Sequence, residues 1–142
     1  MLHESITAAR PDAHAAMLDS LEVIALADVD IVPLYFTRFF ATYPDEEGNF
    51  YNKTSSQGLM VNEMLSMLLA QAEGAEWVPM MTRTQVITHR DHSDIALERY
   101  RGALDLLVAV LAAAAGDGWT PAHHAAWQGE VDRLFTLIAR AH

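Results

Sequence analysis

Leu34-Tyr-Phe-Thr-Arg-Phe-Phe-Ala-Thr-Tyr-Pro-Asp-Glu-Glu-Gly-Asn-Phe50 is the stretch on which the fold turns. Its first half is heavily aromatic. Wound as a helix, it sets Phe36 and Phe40 on one face and Tyr35 and Phe39 on the neighbouring stripe. That helix starts near Asp30, tolerates Pro33 in its first turn and runs to Thr42. Tyr43-Pro44-Asp45 breaks it. From Asp45 to Lys53 the chain is a polar, solvated turn that holds one aromatic, Phe50.

Helical spacing continues on both sides. Upstream, Asp12 is positioned to cap a helix through Ala27, with Ala16, Met17, Leu21, Ile24 and Leu26 on its apolar face. Downstream, Thr54, Ser55 or Ser56 caps a long helix to Glu73, in which Met60, Val61, Met64, Leu65, Leu68 and Leu69 recur at helical spacing. Gly74 ends it. A shorter helix follows Pro79 and closes at His89, after which Arg90 to Asp94 reads as a polar turn. Ala96 to Ala115 is helical and Gly116-Asp117-Gly118 stops it. Thr120-Pro121, a hydroxyl cap followed by proline, opens a last helix to the C-terminus. No strand pattern survives. The expected class is all-α, one domain over residues 1–142, with about six or seven helices.

Composition excludes several function classes. The 142 residues are 51% hydrophobic and 20% charged, a globular balance. A net charge of −10 disfavours nucleic acid and anionic membrane, which both need a basic surface. The chain has no cysteine, hence neither disulfides nor thiolate chemistry. Met1-Leu-His-Glu-Ser5 lacks the order of a signal peptide, and the apolar run Leu106 to Ala115 is far shorter than the ~20 residues of a membrane span. The expected compartment is cytoplasmic.

No phosphate loop, paired-histidine motif or nucleophile with a partnered base is present. Of seven histidines, His3, His14, His92, His123, His124 and His142 lie near termini or in polar surroundings. His89 stands apart because it ends a short helix beside Val86 and Ile87. The stripe Met60, Met64 and Met67 reads as core packing, and Trp119 and Trp127 read as anchors of the last helix.

Taken together, these segments resemble the bacterial globins related to flavohaemoglobin. Residues 34–50 match the family's second helix, its proline break and the phenylalanine that wedges against haem, here Phe50. Phe50-Tyr-Asn-Lys-Thr-Ser-Ser-Gln57 is similar to the approach to the distal helix, with Gln57 at the ligand-facing position. His89-Arg-Asp-His-Ser-Asp-Ile95 is similar to the proximal motif, and Tyr100 to the tyrosine opening the next helix. Gly116-Asp-Gly-Trp-Thr-Pro121 and Ala126-Trp127 resemble the last turn and final helix. The likeness spans about two thirds of the chain, and its weight lies in order and spacing. In the family a tyrosine usually stands where this chain has Phe36, and an apolar residue where it has Gln85. Tyr100 also follows His89 by one residue more than usual.

The resemblance implies a globin fold around a haem b pocket, with His89 as the iron ligand. Phe36, Phe40, Phe50, Val61, Ile95, Tyr100 and Leu104 would enclose the porphyrin. Gln57, with Val61 one turn on, would supply a polar donor before an apolar wall. Gly58 would let another helix approach closely. The implied function is reversible binding of O2, NO or CO. The flavin and nicotinamide modules of flavohaemoglobins have no counterpart in these residues, so nitric oxide dioxygenation would require an external reductase. The alternative is a haem-free globin-like module for signalling or protein interaction.

Overall fold

Proline and glycine punctuation places most of the helix ends. In the computed structural model, which describes residues 8–50, 53–92 and 95–142, the chain forms α1 (Pro11–Leu26), α2 (Ile31–Thr42), α3 (Lys53–Ala72), α4 (Val78–His92), α5 (Leu97–Ala115) and α6 (Pro121–Ala141). Two 3₁₀ turns, Pro44–Asn49 and Gly116–Gly118, join α2 to α3 and α5 to α6. No strand occurs among the described residues. His3 and the residues read against a signal peptide lie outside them, as do Tyr51, Asn52, Ser93, Asp94 and the side chain of His92.

Several helix ends carry their expected chemistry. Asp30 accepts a hydrogen bond from the Val32 N–H at 3.1 Å. After α3 and α5 the chain turns through left-handed glycines, Gly74 at φ +79° and Gly116 at φ +57°, where a side chain would be strained. Thr120 Oγ1 accepts from the His123 N–H at 3.1 Å, and His123 Nδ1 accepts from the Thr120 N–H at 3.1 Å. The first turn of α6 is thereby closed from both sides.

Other ends depart from expectation. Arg10, not Asp12, precedes α1, and Asp12 lies within the first turn. Helix α3 begins at Lys53, so Thr54, Ser55 and Ser56 are inside it rather than capping it. Helix α4 does not close at His89 but continues to His92. Arg90 explains part of that extension, because its guanidinium donates to the Ala141 and His142 carbonyls at 3.1 and 2.9 Å. A contact fifty residues away, satisfying the otherwise unbonded end of α6, holds one more turn of α4 in place. The space beside Gly58 is open, so no helix uses that glycine for close approach.

Helix α6 is the hub and packs on α1, α3, α4 and α5, while α2 lies on α5. Its buried residues Trp127, Val131, Leu134 and Ile138 recur at helical spacing. Trp127 is fully buried and donates its indole N–H to Ser20 Oγ at 2.8 Å, which fixes α6 on α1. One charged cluster is sealed in the same region. Arg10 donates from Nε and Nη2 to Glu130 at 2.7 and 2.9 Å, and Gln71 Nε2 donates to Glu130 Oε1 at 2.8 Å. No helix among the described residues is long and apolar enough to cross a membrane.

Candidate functional site

Helices α3 and α4 are joined by a short link and make few contacts with each other. Between them lies a partly open cavity of about 600 Å3, bounded on its other sides by α5, α6 and the 3₁₀ turn after α2. Its α3 wall carries Ser56, Met60, Glu63, Met64 and Met67, and its α4 wall carries Thr82, Gln85, Val86 and His89. Ile95, Tyr100 and Leu104 complete it from the α5 side, with Leu134 and Ile138 from α6. The volume lies within the range of small-molecule and cofactor sites, and the lining is mostly apolar with a few polar groups.

His89 is exposed at the outer end of this wall. Its Nδ1 pairs with the Tyr100 hydroxyl at 3.2 Å, with the two rings 5.8 Å apart. Burial raises the Tyr100 pKa above the usual tyrosine value, against a smaller lowering by Arg90, so the phenol keeps its proton at neutral pH. In the tautomer that protonates Nδ1, the ring donates to the Tyr100 oxygen and Nε2 keeps the lone pair that a metal would need.

Phe50 sits between the cavity and an aromatic core. Its ring lies 5.1 Å from Phe36 and 5.5 Å from Phe40 in edge-to-face arrangements. Phe39 and Phe50 reach the cavity wall, whereas Phe36 and Phe40 brace Phe50 from behind and do not line it. The outer rim is polar. Arg99 Nη1 donates to Glu46 Oε2 at 2.6 Å and Asn49 Nδ2 to Glu46 Oε1 at 2.7 Å. The Arg99 guanidinium also stacks on Tyr43, 4.1 Å from the ring centre. On α5, Gly102 leaves room for the Tyr43 hydroxyl, into which a Cβ would collide. Glu46 is therefore no free member of a solvated turn but the centre of a rim cluster.

Of the residues expected around the site, His89, Phe50, Ile95, Tyr100 and Leu104 converge on one cavity. Gln57, Val61, Phe36 and Phe40 do not line it. Gln57 and Val61 do share a helical face, but that face is turned about 60–100° from the cavity-facing Met60 at 100° per residue. Val61 is fully buried in the core as a result. The methionine stripe takes their place: all three sulfurs expected in the core belong to residues of the cavity wall, although Met67 is also core-buried. Their spacing of four and then three was the available signal, since it marks one helical stripe beside Gln57. Gln85, noted as a departure from the resembled family, also lines the cavity, one turn before His89. Among the described residues no cluster of three or more His, Asp or Glu could hold a bare metal ion. The chain matches no family model, no curated protein and no solved structure.

Proposed function

We propose that the protein is a globin that holds haem between α3 and α4, with His89 as its iron ligand, and binds a diatomic gas reversibly. The observation that carries this reading is one imidazole on the wall of a cofactor-sized, mostly apolar cavity, steadied at Nδ1 by the half-buried Tyr100 hydroxyl. The residues suit the group. Met64, Met67, Val86, Leu104 and Ile138 offer apolar surface to a porphyrin, Phe50 presses on it from the rim, and a single neutral histidine suffices as protein ligand. Haem would supply ferrous iron as the site where O2, NO or CO binds. His89 would hold the iron through Nε2, Tyr100 would orient the ring, and the apolar walls would pack against the porphyrin.

Purified protein reconstituted with haem should give a Soret band at one haem per chain. His89→Ala should abolish it or make it depend on added imidazole. An unchanged band in His89→Ala, or none in the parent protein, sinks the proposal.

A haem-free globin-like module is the second reading, and one feature favours it. Arg99 is the only Lys or Arg on the cavity wall among the described residues, and Glu46 and Asp45 already pair with it at 2.6 and 3.4 Å. A ligand with carboxylates would have to displace those contacts. The same spectrum separates the two readings.

A further inference from the structure

Helix α4 turns one face to the cavity and leaves the other bare. Trp77 opens it, its carbonyl accepting from the Met81 N–H at 3.0 Å. From there Trp77, Met80, Met81, Thr84, Ile87 and Thr88 fall within an arc of about 120° at 100° per residue. The arc lies opposite the buried Val78, Thr82 and Val86. Trp77 is 50% exposed, Met80 74%, and Met81 and Ile87 43% each. The solvent side of a surface helix ordinarily carries charged and polar residues. Here it carries four large apolar ones.

The chemistry of this stripe suits burial. Between Trp77 and Arg90 the chain has no Asp or Glu, although 19 of its 142 residues are acidic. The exposed Leu18 and Leu26 of α1 offer no such strip, because the exposed Glu22 lies between them on the same face. Thr84 donates to the Met80 carbonyl at 3.0 Å, and Thr88 to the Thr84 carbonyl at 2.9 Å. Both hydroxyls are satisfied within the helix and lose little when water leaves.

The stripe also matches itself. Laid antiparallel on a second copy about its central residue, Thr84, it sets Met81 against Ile87, Met80 against Thr88 and Trp77 against Asp91. No acid meets an acid, and Glu76 comes level with the last turn of the other helix, which carries Arg90. Two chains of net charge −10 repel each other, and an acid-free strip is where that repulsion is least. A lipid surface is a poorer match, since only Arg83 and Arg90 flank the stripe.

We infer that the outer face of α4 is a self-association surface, on which two copies of this chain pair antiparallel about Thr84. Two such faces would bury about 1,000 Å2 in total, the lower limit for a specific interface, so the dimer is weak and reversible. This is the face that α4 turns away from the cavity, and the inference stands apart from the haem reading.

Sedimentation velocity of the full chain, from micromolar to near-millimolar concentration, should show the mean mass rising reversibly from one chain toward two. Ile87→Arg and Met81→Glu should each weaken association about ten-fold or more. Combined in one chain they should restore most of it, because the new carboxylate and guanidinium meet across the two-fold axis. Within one chain the two positions are six apart and do not face each other. The chain has no cysteine, so Thr84→Cys introduces a single thiol. Under mild oxidation it should cross-link to itself far faster than Leu26→Cys, a single thiol at an 81% exposed site on α1. A chain that stays monomeric at near-millimolar concentration overturns the inference, even if it binds phosphatidylcholine vesicles or another protein through this helix. So does a dimer that Ile87→Arg leaves intact, or equal cross-linking of the two thiols. None of these outcomes bears on the Soret band that tests the haem reading.

Discussion

Tyr35 is fully buried and donates its hydroxyl to the Ala103 carbonyl at 2.9 Å, so α2 is tied to α5 through one proton. Burial, with a smaller contribution from Tyr43, pushes its pKa far above the ordinary value near 10.0. The unfolded chain releases that proton above pH ~10 while the folded chain keeps it. Stability is therefore fully present below that pH and is lost as pH rises, by about 1.4 kcal/mol per pH unit from this group alone. Tyr35→Phe should cost about 1 kcal/mol at pH 7 through the lost hydrogen bond. It should also flatten the alkaline slope, so that parent and variant converge in urea titrations between pH 9 and ~11. Parallel slopes in the two proteins would remove Tyr35 as the cause.

Helices are joined here by polar contacts as well as apolar ones, and the Arg10–Glu130–Gln71 cluster is the plainest case. Glu130 is fully buried, and Arg10 keeps 15% of its side chain in contact with solvent. Removing one partner strands the other's charge, so Glu130→Leu should destabilise the fold by about 3 kcal/mol, whereas Arg10→Met with Glu130→Leu should recover most of that loss. Denaturant midpoints of the singles and the double would show it, and strictly additive losses would contradict it. Gln71 Oε1 is buried without a hydrogen-bond partner. This cluster was invisible in the sequence because its members are separated by as many as 120 residues. The elements legible from sequence were those with local chemistry: the α2 stop at Pro44, the glycine ends of α3 and α5, and the Thr120 cap. The end of α4 was not legible, since it depends on Arg90 reaching α6. The cavity side of α3 failed for a subtler reason. Gln57 and Val61 were correctly paired on one face, but a pattern fixes which residues share a face and not where that face points. The orientation is set by packing on the rest of the bundle, and a rotation of about one residue exchanged an amide for a thioether.

At the scale of the whole molecule, the cavity and its rim belong to different parts of the chain. His89 and Met60 stand on α4 and α3, whereas the rim cluster of Glu46, Asn49 and Arg99 hangs on the turn after α2 and on α5. The rim can thus be altered without replacing His89, although Phe50 and Tyr100 adjoin Asn49 and Arg99 in the chain. Gly102 is the pivot of that separation, because its missing side chain lets Tyr43 lie flat beneath Arg99. Gly102→Ala would push Tyr43 aside, loosen Arg99 from Glu46 and cost about 1–3 kcal/mol of stability through overpacking. Flash photolysis of the CO complex should then show rebinding and escape both accelerated, with their ratio unchanged. An altered ratio would mean that the rim contributes to affinity. A single absent methyl group would act as a governor on traffic, so that evolution or an engineer could reset how often the chamber exchanges its contents while leaving untouched how tightly it keeps them.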